Sequence, residues 1–286
     1  MRKIIGFLIF LFYSLHASAE VLIDESVPGG SGRNIRNFQI VEYDPAIPQA
    51  TIFYTDGYGD LKFLVAEFEG IDLPDTRGLV AHYPFDGSTN DLSGNNNHGV
   101  VYGATLTEDR FGKPNSAYWF DGNDKIIVDA LRNFEWGNKF SVSVWFKRTG
   151  QWGNYQGIVN NGYYTNGSWE IRMGRENSGT MLGGGVITST NNAAWDHVNI
   201  HASGNQWHHV VMTYDGNTLS FYLDGELKGM NTRDVGILIA KNTPLTIGQA
   251  GTGKSNEYFY GVIDDIKIYK KAISIAGVRA LYDYQE

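Results

Sequence analysis

The chain has 286 residues, with 31 acids against 23 lysines and arginines, seven histidines and no cysteine. Without cysteine there is no disulfide, no thiolate metal site, no cysteine nucleophile and no lipid anchor on cysteine. A formal charge of −8 with no basic run argues against a nucleic-acid partner and leaves carboxylates to spare for a hard cation.

The first element is Met1-Arg2-Lys3, an apolar run over residues 4–12, and the small-residue site Ala17-Ser18-Ala19. This order predicts a secretory signal peptide over residues 1–19, because the apolar run falls short of the ~20 residues that span a bilayer. Its removal takes Arg2 and Lys3 and moves the formal charge from −8 to −10. The expected destination is secreted, periplasmic or cell-surface, with no membrane span in the mature chain. Residues 20–78 then read as a small β-rich segment. Strands are predicted at Phe38–Tyr43, Thr51–Thr55 and Leu61–Phe68, and Pro74 marks a boundary.

From residue 79 onward, short β-branched and aromatic runs alternate with turn signals. The 35 glycines exceed the usual ~7% share. Pairs such as Asp86-Gly87, Asp121-Gly122, Asp215-Gly216 and Asp224-Gly225 tolerate the positive φ of tight turns. In Phe140-Ser141-Val142-Ser143-Val144-Trp145-Phe146 the even positions are apolar and two of the three odd ones are serine, as in a half-buried strand. The last element is a helix capped by Ser274, with Ile275, Val278, Leu281 and Tyr282 on one face. The predicted class is all-β: a sandwich or barrel over residues 79–286 with a short C-terminal helix.

Four stretches carry a family resemblance. They are Leu79–Gly87 followed by Asn90–Gly94 and Asn97-His98-Gly99, then Ala117–Gly122, then Trp207–Gly216 leading into Leu219–Gly225, and last Gly261–Tyr269. In this order the chain resembles the laminin-G-like, concanavalin A-like jelly roll of bacterial surface proteins and carbohydrate-binding modules. The resemblance implies a two-sheet antiparallel jelly-roll sandwich over residues 79–286 and a binding role for an extracellular glycan or a cell-surface protein, and it leaves the ligand open.

Two constellations invite chemistry. Asp86, Asn90, Asp91 and Ser93 supply oxygens in a glycine-punctuated loop, the donor type calcium prefers, and Asp264 is placed by alternation on the core face with Val262, Ile266 and Ile268. A structural calcium at Asp86, Asp91 and Asp264 is one expectation, and plain turn caps are the other. The resemblance suggests calcium or the Asn97–Gly99 backbone as the partner of Asp264. Trp152, Tyr155, Tyr163, Tyr164 and Trp195 lie in Gly/Asn-rich stretches, where aromatic faces stack on sugar rings or enter protein interfaces. Trp119, Trp145 and Trp207, inside strands, are expected in the core.

Catalysis has little support. Glucanases of this fold use paired acids on one strand, but Trp169-Glu170-Ile171-Arg172 puts arginine where the second acid belongs, and Glu176 is ~20 Å on along a strand. His208-His209 point to opposite faces of a strand and cannot chelate one ion. Gly248–Ser255 spells a phosphate loop, yet a strand follows rather than a helix, so it reads as a hairpin loop. The chain is expected to be a non-catalytic binding protein. The competing readings are an adhesin or assembly component and a polysaccharide-cleaving enzyme.

Overall fold

The computed structural model describes residues 76–149, 155–163, 165–174, 181–189, 200–232 and 236–284, with the backbone of several strands before residue 70. The chain divides into two compact units, Met1–Thr76 and Arg77–Glu286. In the first, strands Phe38–Asp44, Gln49–Thr55 and Leu61–Phe68 pair in antiparallel sequence, at the three positions their β-branched and aromatic residues predict.

The second unit contains fifteen strands among the described residues. In chain order they are β1 (Leu79–Tyr83), β2 (Val100–Tyr102), β3 (Thr105–Thr107), β4 (Ala117–Asp121) and β5 (Lys125–Val128). Next come β6 (Phe140–Arg148), β7 (Gly157–Asn161), β8 (Trp169–Met173), β9 (Met181–Val186) and β10 (Ile200–His201). The last are β11 (Trp207–Tyr214), β12 (Leu219–Leu223), β13 (Glu226–Asn231), β14 (Leu245–Ile247) and β15 (Tyr260–Tyr269), followed by helix α1 (Ile275–Asp283). One sheet runs β13-β12-β11-β6-β15-β4-β3, with β1 beside the second half of β15. The other runs β10-β9-β8-β7-β14-β5-β2. All pairs in both sheets are antiparallel, so this is the expected jelly-roll sandwich.

The inner faces meet in one apolar core. Its centre is aromatic: Trp136 and Trp169 pack edge-on at 5.0 Å, and Phe140 lies 5.5 Å from Trp169 and 6.0 Å from Tyr214. The Trp136 indole N–H donates to Asn161 Oδ1 at 3.0 Å, which removes the desolvation cost of that N–H in the core. On β6 the alternation sets the faces: Phe140, Val142, Val144 and Phe146 enter the core. Trp145, sharing its phase with the serines, therefore faces outward and is half-buried. Trp119 and Trp207 are outward and half-buried too, which corrects the expectation that strand tryptophans fill the core.

Strand β15 breaks its alternation. The β6 register shifts between Ser143 and Trp145, and Asp265 adopts a φ of 42°, so β15 bulges at Asp264-Asp265. Ile263, Ile266 and Ile268 reach the core, while Asp264 does not share their face. The period-two count across 262–268 misplaces it by the one residue that the bulge adds.

Helix α1 begins as expected, with Gly277 N–H donating to Ser274 Oγ at 3.2 Å. Val278 and Leu281 are buried. Ile275, counted on the same face, remains 46% exposed. Tyr282 stacks on Trp145 at 5.6 Å and 14°, and on His209 at 6.0 Å, covering part of the outer face of the eight-stranded sheet.

Candidate functional site

The expected calcium ligands each hold donors of the protein itself. Asp91 Oδ1 accepts from the N–H groups of His82 (2.9 Å) and Ser93 (2.8 Å), and Oδ2 from Asn97 N–H (2.9 Å) and the Ser93 hydroxyl (2.8 Å). Burial raises its pKa, but those four hydrogen bonds outweigh it and hold the carboxyl below the usual range. Asp86 is exposed and pairs with Lys113 at 2.7 Å. Asp264 pairs with Arg110 at 3.0 Å and also accepts from Asp265 N–H. No group of three or more histidine, aspartate or glutamate side chains among the described residues is arranged to hold a metal ion. These three carboxylates do not fit a calcium shell. Asp91 instead stitches the Asp86–Gly99 loop, helped by its own N–H donating to His98 Nδ1 at 3.0 Å.

Among the loop aromatics, Trp152, Tyr164 and Trp195 lie outside the described residues. Tyr155 and Tyr163 flank opposite ends of β7, which is five residues long, and so stand ~13 Å or more apart. They form no single platform. Tyr155 is half-buried, with the Arg172 guanidinium 4.4 Å over its ring. Tyr163 is 39% exposed. Its loop is braced below by Lys241 Nζ, which donates to Ser168 Oγ at 3.0 Å and to Thr165 Oγ1. At Gly167 a Cβ would fall 2.0 Å from the Ile239 carbonyl oxygen, so glycine is required for the two loops to close on each other. Beyond that contact Ile237 and Ile239 stand 54% and 52% exposed, with Leu238 buried between them.

Glu170 and Arg172 alternate with the core residues Trp169, Ile171 and Met173, so both face out of the seven-stranded sheet. Both are buried, and Arg172 Nη1 lies 3.5 Å from Glu170 Oε2. Glu176 lies outside the described residues. The phosphate-loop-like segment is the predicted hairpin: Gln249 bridges Tyr258 antiparallel, Phe259 N–H donates to the Gly248 carbonyl at 2.8 Å and Ala250 N–H to the Glu257 carbonyl at 3.0 Å, where the chain passes from β14 in one sheet to β15 in the other. Gly251 N–H, within the would-be phosphate cradle, donates to Glu170 Oε1 at 3.3 Å. The acceptor there is the protein's own carboxylate.

His208 and His209 face opposite sides, as alternation requires. His208 lies tilted against the core ring of Phe146, with Nδ1 2.8 Å from Asp224 Oδ2 and Nε2 3.0 Å from Ser203 Oγ. Ser203 Oγ is also 3.1 Å from Gln206 Oε1, and Asp224 Oδ1 accepts from His209 N–H. This Ser-His-Asp line clamps the turn before β11 to the turn after β12. Sequence spacing could not show it, since the turns meet only through the sheet.

On the outer face of the eight-stranded sheet, His209 is buried in a triangle of rings with Trp145 and Tyr282, with Ser143 Oγ 2.7 Å from its Nε2. Burial lowers its pKa to about 3. Beside it Asp265 accepts from Lys267 at 2.7 Å and lies 3.2 Å from His82 Nε2. Burial raises the Asp265 pKa, but Lys267 and His82 outweigh it and the carboxyl stays ionised. Burial lifts Asp264 to about 8, with the charge of Asp265 adding to the rise.

An antiparallel jelly roll with a closed aromatic core and polar chemistry at the rims and outer faces is a lectin-type sandwich. The chain belongs to the concanavalin A-like lectin/glucanases superfamily, whose laminin-G-type family model matches residues 120–279. A comparison with curated proteins finds no match. Among solved structures it is similar to domain 4 of AbnA, a GH43 extracellular arabinanase from Geobacillus stearothermophilus, in complex with arabinotriose. The identity is 21%, covering 72% of this chain and 98% of that one, with a TM-score of 0.57. It is similar to the binding domain of Paraclostridial Mosquitocidal Protein 1 (19% identity, 73% and 52% covered, TM-score 0.58). It is also similar to the botulinum neurotoxin serotype D ligand binding domain in complex with N-acetylneuraminic acid (19%, 73% and 51%, TM-score 0.56). The chain thus spans about half the length of the two toxin domains. At these identities the likeness is one of fold.

Proposed function

We propose that this chain is an exported, non-catalytic module that binds glycan through aromatic side chains carried on the rims and faces of the sandwich. The observation that carries the reading is Tyr163, held 39% exposed on a loop braced by Lys241 and locked at Gly167. A scaffold that holds an aromatic ring partly exposed is suited to stacking on a sugar, because little ordering entropy remains to be lost on binding. Two similar folds, one with arabinotriose and one with N-acetylneuraminic acid, support a carbohydrate ligand. The burial of Glu170 against Arg172 supports the non-catalytic part, since a general acid or nucleophile needs a second carboxylate across the scissile bond.

The test is retention in native gels containing laminarin, arabinan, agar or alginate. Wild type should be retarded by at least one polymer, and Tyr163→Ala or Trp152→Ala should migrate faster there with an unchanged melting point. No gel should show release of reducing ends. Release that is lost in Glu170→Gln makes the protein a hydrolase. A second reading, an adhesin that binds protein, draws on the exposed pair Ile237 and Ile239. It gains if no polymer retards the protein while Ile239→Lys abolishes its capture from a native cell surface.

A further inference from the structure

The outer face of the eight-stranded sheet carries a row that neither the fold nor the loop aromatics account for. Thr105 of β3 pairs with Trp119 of β4, Trp119 with Val262 of β15, Val262 with Lys147 of β6, and Lys147 with Trp207 of β11. Residues directly opposite in an antiparallel sheet project to the same side. These five therefore stand in one line across five consecutive strands. Thr105 is exposed, Trp119, Lys147 and Trp207 are half-buried, and Val262 forms a covered floor. The two indoles are three strand spacings apart, ~14 Å, a span longer than one sugar ring. Tyr260, two residues from Val262 on the middle strand, stands beside the row with its ring edge-on to Trp119 at 5.4 Å, and Lys147 Nζ sits 5.1 Å over the Trp207 ring.

Elsewhere on the same face the sheet caps its outward aromatics: Trp145 carries Tyr282 of α1 on one side and the Arg110 guanidinium at 4.6 Å. The Trp119–Trp207 row lies beyond that helix contact. Its chemistry alternates hydroxyl, indole, ammonium and indole. Lysine is depleted from the dry centres of protein interfaces, so a protein partner is disfavoured. A chain of sugar rings matches, because each ring offers a C–H face to an indole and hydroxyls to the groups between.

Resting on the glycan-binding reading above, we infer that the Trp119–Lys147–Trp207 row is the main binding platform. It takes a linear glycan laid across the strands, with a ring stacked at each indole and Lys147 donating to the oxygens between them. The ligand is an oligomer, since one monosaccharide cannot reach both indoles.

The experiment uses the full chain in laminarin, arabinan, agar and alginate gels, with a fluorescence titration by oligosaccharides of whichever polymer retards it. Trp119→Ala and Trp207→Ala should each weaken binding about tenfold or more, the loss expected for one buried ring, and the double variant should not be retarded. Both positions are half-buried, so melting should fall only slightly. Should an alanine variant fail to fold, Trp119→Phe and Trp207→Phe keep the packing and should still weaken binding. The indole emission of wild type should shift on titration, and the shift should vanish in the double phenylalanine variant. If these variants bind as wild type while Tyr163→Ala does not, the platform is overturned and the loop site stands. If wild type is retarded by no polymer, both readings fall.

Discussion

His209 and Asp264 lie a few side chains apart on one sheet face and bias stability in opposite directions with pH. Burial holds His209 neutral, moving it from 6.5 to about 3, against Asp265 and Asp224, which favour its protonation, and with Lys267 and Arg110, which oppose it. The unfolded chain takes up this proton below about pH 6.5 and the folded one does not. This contribution is therefore intact above pH 6.5 and drains as pH falls toward 3, by up to ~1.4 kcal/mol per pH unit. Asp264, lifted from 3.8 to about 8 by burial and Asp265 against the opposing pull of Arg110, holds a proton to higher pH in the fold than in the unfolded chain. Its contribution is full below pH 3.8 and is lost as pH rises through 8. Urea midpoints measured from pH 4 to 9 should separate the two. His209→Gln should gain on wild type as pH falls, and Asp264→Asn should gain on it as pH rises. Parallel curves for all three proteins would remove both assignments. The sequence shows part of this: the alternation that puts Ser141 and Ser143 outward already puts Trp145 there, and residue type alone misassigns it. Asp264 was out of reach, because the bulge at Asp265 is a property of the β6 pairing.

At the scale of elements, turns and strands were legible because Asp-Gly and Asn-Gly pairs and period-two alternation are local signals, and so was the Ser274 cap. Burial by a neighbouring element was not. Helical spacing groups Ile275 with Val278 and Leu281, but the helix meets the sheet only from its second turn, where Tyr282 reaches Trp145. The latch can be weighed in two steps. Tyr282→Ala should cost ~0.5–1.5 kcal/mol, the value of ring stacking beyond area, and should move Trp145 emission to the red. Leu281→Ala should cost ~2–5 kcal/mol through the cavity it leaves. If both are neutral, α1 is an appendage rather than part of the fold. The Asp86–Gly99 loop is held differently, by the four donors on Asp91. Asp91→Ala should lower the melting point whether or not EDTA is present, and EDTA should leave wild type unmoved. A drop in wild-type melting with EDTA, restored by calcium, would return the metal to this loop.

The stability of the chain rests on its second unit. Residues 77–286 hold both sheets, the core and α1, with no cysteine to supplement them. A unit of roughly 210 residues buries enough surface to fold without disulfides, whereas the ~55 residues of the stretch 20–76 are marginal alone. Residues 77–286 expressed alone should unfold in one cooperative transition, within a few degrees of the full chain. They should also keep the polysaccharide retention of the full chain, because Trp119, Lys147, Tyr163 and Trp207 all lie within them. Trp169→Ala, at the centre of the core, should cost ~3–5 kcal/mol in either form. If 77–286 folds but no longer binds, residues 20–76 contribute to the site. If it does not fold, those residues complete the sandwich, and the boundary at Thr76 separates two parts of one folding unit.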